Sequence, residues 1–327
     1  MNIHSFCLIL FCIVASNCSG NKSEDVDSSG FKINRFDNDL YQYLTQNPDS
    51  NLLLVHDLFL DEYGEKIIRI GTSDSVGFFD RLNAFFSEPT LMRLYRNEQE
   101  KFADIQDIEK ELFAGLKLFS ENFPEIKEPQ IYMHVSGLSQ NVIVTDDILS
   151  LSVDKYLGAD YPLYQEFFYD YQRQLMSPDR IVPDYLLGFM MANFLFQGNE
   201  SVLLDQIIYE GKLRYILSRL LPERKTWEFI GYTQEQHEWC VENESQIWKS
   251  ILENKHLFNS DYKTTIQYLR SAPYTAILSS ESPGRVGIWL GYQIVSSYMK
   301  HSPKTSFQEL INMTDYQQFL KQARYKP

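Results

Sequence analysis

Residues 201–223 read SVLLDQIIYEGKLRYILSRLLPE, and wound at 100° per residue this stretch is apolar nearly all the way round. A helix without a polar face is a buried helix. Outward from it the same three- and four-residue apolar spacing predicts helices over 164–175, 183–197, 200–221, 233–256, 262–270, 285–300, 305–312 and 315–322. On the N-terminal side, Ser75 to Asn122 is helical throughout with a break at Pro89. Pro124 and Pro129 end that bundle. Gln130–Val135 then alternates apolar Ile131, Met133 and Val135 with Tyr132 and His134, the period of a half-buried strand. Val142–Val144 and Ile148–Val153 predict two more strands around a turn at Asp146 and Asp147, and KIIRIG (66–71) predicts another. Further upstream, Phe31, Ile33 and Phe36 form an extended segment and Asp37 is placed to cap a helix bearing Leu40, Tyr41 and Leu44. A second helix is expected from Pro48 through Leu52, Val55, His56, Phe59 and Tyr63. The class is α+β, mainly helical with a small antiparallel sheet.

Within the opening stretch Glu210 falls between Leu203, Ile207 and Leu217, so its carboxylate needs a partner, for which Arg214 or Arg285 are the choices. Residues 282–299, SPGRVGIWLGYQIVSSYM, carry Gly284, Gly287 and Gly291 on one helical side, a flat strip that another backbone or a ligand can approach closely. Core packing is the plainer reading of that strip. Glu210, Arg285, Gly287 and Gly291 are therefore the candidate groove.

No catalytic set can be assembled from the remaining residues. The six histidines are scattered, and His237-Glu238 is not followed by a second histidine at helical spacing, so the zinc-peptidase helix is missing. Asp146, Asp147, Asp154 and Asp160 fit turns and caps better than the six or so oxygen ligands of calcium. There is no nucleophile elbow, phosphate loop or dinucleotide fingerprint. Neither a metal nor a small-molecule cofactor is expected.

The N-terminus supplies an address. Phe6–Ala15 (FCLILFCIVA) is followed by Cys18 and the polar run SGNKSEDVDSSG, the pattern of a lipoprotein signal whose cysteine is acylated. An ordinary secretory signal cut near Ala15 or an uncleaved anchor are the alternatives. A formal charge of −14 excludes wrapping a phosphate backbone, so nucleic acid is not a partner. With Cys7 and Cys12 in the signal and Cys18 acylated, only Cys240 remains as a thiol, and no internal disulfide can form.

The stretch 282–299, together with GYTQEQHEWCVENESQIW (231–248), LSVDKYLGADYPLY (151–164), INRFDNDLY (33–41) and the terminal YKP (325–327), resembles the gliding motility lipoprotein GldB family of Bacteroidetes. The resemblance implies a signal over 1–17, a lipidated tether over 18–30 and a single domain over 31–327. It implies a distant relative of zincin-type metallopeptidases: Glu210-Gly211 stands where such enzymes carry a third ligand. Met190, Met191 and Asn193 stand where histidines would be needed. The expected protein is a non-catalytic component of a cell-envelope machine, held at the membrane, outer membrane by expectation, through Cys18 and meeting other envelope proteins there. Two alternatives stand beside it: a divergent metal-dependent hydrolase using Glu210 with His134 or His56, and a purely structural subunit.

Overall fold

The computed structural model describes residues 30–46, 49–139 and 141–327, so the signal, Cys18 and the tether lie outside the described residues. Among the described residues four strands form one sheet: β1 (Asn34–Arg35), β2 (Gln130–His134), β3 (Val142–Val144) and β4 (Ile148–Ser152), in the order β1-β2-β4-β3. The helices include, in chain order, α1 (Phe36–Thr45), α2 (Phe78–Phe85), α3 (Pro89–Lys101), α4 (Gln106–Asn122), α5 (Ile181–Asn193), α6 (Leu203–Leu220), α7 (Val286–His301) and α8 (Tyr316–Ala323).

The sheet is mixed, not antiparallel as expected. β2 runs parallel to both β1 and β4, and only β3 opposes its neighbour β4. All of α1 to α4 lies between β1 and β2, a connection long enough to return the chain in its original direction. Alternation along a strand reports which face each side chain takes, and it says nothing about the direction of the neighbouring strand. Every residue of β4 is buried, as expected of a strand covered on both faces.

Those two faces divide the core. Tyr132, Val135 and Ile148 pack with Phe36, Leu40, Phe59, Tyr63 and Phe78 on one side. Ile131, Met133, Leu149 and Leu151 pack with Leu112, Phe119, Leu186, Phe189 and Ile216 on the other. KIIRIG is no strand: a π-helical turn over Tyr63–Ile67 buries Tyr63 and Ile67 in the first cluster, and left-handed Arg69 (φ 56°) and Gly71 (φ 98°) reverse the chain. The helix expected from Pro48 is two short pieces, Asn51–Leu54 and Asp57–Glu62, and Val55 between them is exposed. Asp37 does not cap α1; it is fully buried and accepts from the Arg35 guanidinium at 2.6 Å.

Thirteen of the 18 residues of α6 are buried, which makes it the axis of the larger cluster. α7 crosses it with almost no side chain between them. A Cβ on Gly291 would stand 1.7 Å from the Ile207 carbonyl oxygen, and one on Gly211 2.3 Å from the Gly291 carbonyl. Here glycine is needed for contact between backbones, not for a special φ. Gly291→Ala is accordingly expected to lower stability by about 3 kcal/mol in urea unfolding of the purified full chain, because overpacking displaces backbone on both helices. A midpoint unchanged by that substitution would contradict the crossing.

Candidate functional site

β3 is one of the two edges of the sheet. Ser152 donates its N–H to the Asn141 carbonyl (2.7 Å) and Thr145 donates to Ile148 (2.8 Å), which fixes the alternation: residues 141, 143 and 145 bond inward to β4. The main-chain N–H and C=O of Val142 and Val144 therefore point away from the sheet. Their side chains turn toward α5, which lies close because position 188 is glycine; a Cβ there would come within 2.7 Å of Val142 Cγ1. Between strand and helix runs a groove of about 500 Å³ lined by Ser139, Asn141, Val142, Tyr156, Asp184, Leu187, Gly188 and Met191.

One end of the groove is built by the chain's path. To reach β3 from β2 the backbone must pass over the end of β4, and Asp154, just after β4, holds that loop. Its carboxylate is fully buried and accepts the N–H groups of Ser136 (3.1 Å) and Leu138 (2.8 Å) together with the Ser152 hydroxyl. Burial pushes the Asp154 carboxyl above its ordinary range, with these hydrogen bonds acting against the shift. Gly137 (φ 67°) and Leu138 (φ 68°) are both left-handed, a strained geometry for leucine that the Asp154 carboxylate fixes. His134, at the end of β2, is equally buried; its Nδ1 meets Ser150 Oγ at 2.6 Å and its Nε2 has no hydrogen-bond partner among the described residues. Burial lowers its pKa to about 3.

At the other end Asp184, in the first turn of α5, ties the groove to a cluster of charges. It accepts from Arg180 (2.5 Å) and from the Tyr156 hydroxyl (2.9 Å). Glu210 on α6 pairs with Arg214 at 3.1 Å, one of the two partners its position required. Burial lowers the pKa of Arg214, with Glu210 raising it and Arg180 adding to the fall. Arg285, immediately before α7, donates to the Gly231 carbonyl (3.0 Å) and is pulled down to about 10 by burial, with Arg180 and Arg214 contributing. Glu210 and Arg285 thus belong to one electrostatic neighbourhood.

α6 stands against both Gly287 and Gly291, and Tyr268 also stands against Gly287, so helix contact takes up the strip at these two positions. Arg180, Asp184 and the β3 edge were not read from the sequence. Arg180 and Asp184 sit four apart at a helix start, a spacing that could have flagged them. The histidines considered with Glu210 lie elsewhere, His56 on Asp39 (2.7 Å) and His134 on Ser150. Cys240 is buried, its thiol pushed up to about 12. Among the described residues, no group of three or more His, Cys, Asp or Glu side chains could hold a metal ion.

A family model described as gliding motility protein GldB matches residues 19–327, nearly the whole chain. No curated protein and no solved structure matches it.

The buried His134 makes stability pH-dependent in a defined direction. Its folded pKa lies below the ordinary 6.5, so between pH 6.5 and about 3 the unfolded chain binds a proton that the fold excludes. Stability is expected to fall as pH drops through that window, by up to about 1.4 kcal/mol per pH unit from this group. His134→Asn, which keeps a polar atom facing Ser150 but does not titrate, should flatten the urea midpoint against pH over that range; an identical slope would count against the assignment.

Proposed function

Because the chain belongs to the gliding motility protein GldB family, we propose that it is a lipid-anchored component of the cell envelope that captures an extended segment of another envelope protein along β3, without cleaving it. One observation carries the capture: the outward N–H and C=O groups of Val142 and Val144 have no main-chain partner among the described residues and stand beside a groove of about 500 Å³. A strand laid there would gain main-chain hydrogen bonds, while Met191 and Leu187 would meet its alternate side chains. Binding without hydrolysis is supported by the state of Glu210, whose charge is countered by the protein's own Arg214.

Anchoring rests on Cys18. Each buried acyl methylene contributes about 0.8 kcal/mol, so two or more chains hold a protein stably, and a partner is then met at the membrane. Cys18→Ala should move the protein out of the membrane fraction; retention there would remove the anchor from the account.

Val144→Pro tests the edge. Proline deletes the outward N–H of residue 144 and leaves the inward bonds of residues 143 and 145 to β4, a change tolerated on edge strands. Full-length protein crosslinked in intact cells is expected to lose its envelope partner in this variant while its thermal midpoint moves by only a few degrees. Undiminished partner recovery would overturn capture at β3.

A further inference from the structure

Three guanidinium groups from three separate elements lie within electrostatic reach of one another, Arg180 ahead of α5, Arg214 within α6 and Arg285 ahead of α7, and Arg180 and Arg285 meet carbonyls one helical turn apart. Two carboxylates face them, Asp184 and Glu210. The cluster therefore keeps one positive charge in excess. Arg180 and Arg214 are more than nine-tenths buried, with side-chain exposures of 9% and 8%. Main-chain carbonyls of Glu228 and Gly231 accept from Arg180 and Arg285. Even so, Nε of Arg180 and both Nε and Nη1 of Arg214 are buried without an acceptor in hydrogen-bond geometry among the described residues. Buried donors of this kind are normally satisfied.

A fourth atom narrows the chemistry. Glu210 Oε2 is also buried and receives no hydrogen bond, although it lies 3.1 Å from Arg214 Nη1. A complementary ligand would offer several oxygens to the guanidiniums, bring negative charge to balance the excess, and present one hydroxyl to Glu210. We propose that the cluster is a binding site for a phosphate group that retains a proton, either free inorganic phosphate or the monoester headgroup of a lipid. Guanidinium forks match such oxygens in bidentate fashion. A phosphate with second pKa near 6 to 7 still carries its hydroxyl in roughly a tenth to a half of molecules at neutral pH, whereas sulfate carries none. Asp184 and Glu210, which keep 19% and 18% of their side chains exposed, are the members of the two ion pairs nearer to solvent. Occupancy does not require a peptide at β3.

Thermal unfolding and calorimetric titration of the detergent-solubilised full chain test this with inorganic phosphate, sulfate and chloride at matched ionic strength. Phosphate is expected to raise the midpoint and to bind at least tenfold more tightly than sulfate. Arg285→Met should weaken phosphate at least tenfold. Glu210→Gln, which can donate a hydrogen bond to sulfate, should shrink the preference for phosphate over sulfate. Micelles doped with phosphatidic acid distinguish the source: saturation at a concentration tenfold below that of free phosphate assigns the lipid headgroup, and equal or weaker binding assigns the free ion. Equal response to phosphate, sulfate and chloride overturns the proposal, as does phosphate binding unchanged in Arg285→Met. Loss of partner capture in Val144→Pro with phosphate binding intact would leave this site standing, and the reverse result would remove it alone.

Discussion

The contact between α6 and α7 at Gly211 and Gly291 is the constraint from which the C-terminal half follows. Two backbones can approach so closely only where neither carries a Cβ, and the approach sets where every neighbouring side chain falls. Arg285, at the start of α7, is thereby held within electrostatic reach of Arg214 on α6. Tyr232 donates to the Gly284 carbonyl at 2.6 Å, which draws the 231–248 stretch to the same place. Tyr325 in turn donates to Glu244 at 2.5 Å and meets Trp248 edge-on. Three of the stretches that mark the family thus form one connected structure.

The sheet supplies the second half of the design. The parallel strands β2 and β4 are buried between the two core clusters with half-buried β1 beside β2, while β3 turns back and is left as an edge against α5. An open edge is ordinarily a hazard, since it pairs with any strand it meets. Here it is very short and flanked by α5 on one side and by a loop pinned to Asp154 at its end. Such a frame restricts what can be added there, which suits a dedicated partner.

Much of the helical layout was legible because apolar residues recur at helical spacing and prolines mark the breaks. Glu210 could be recognised as a carboxylate in apolar surroundings, and its pairing with Arg214 follows from a spacing of one turn. The parts that escaped share one physical reason: they depend on which element lies next to which. Strand direction in the sheet is set by the long connection from β1 to β2. KIIRIG has the composition of a strand but no strand partner beside it, so its isoleucines turn into the aromatic cluster around Tyr63. Gly287 and Gly291 are visible in the sequence as places of close approach, yet only the fold reveals that α6 stands against them. Arg180 and Asp184 gain their meaning from Arg214 and Arg285, which are distant in sequence.

The central claim is that β3 receives a strand from another protein. Amide hydrogen exchange at Val142 and Val144, followed in the full-length protein before and after its crosslink-identified partner is added, addresses it most directly. Both amides should exchange readily in the isolated protein and become protected in the complex, with Ile143 protected in both states by its bond to β4. Exchange at 142 and 144 that is unaltered by the bound partner would contradict the account.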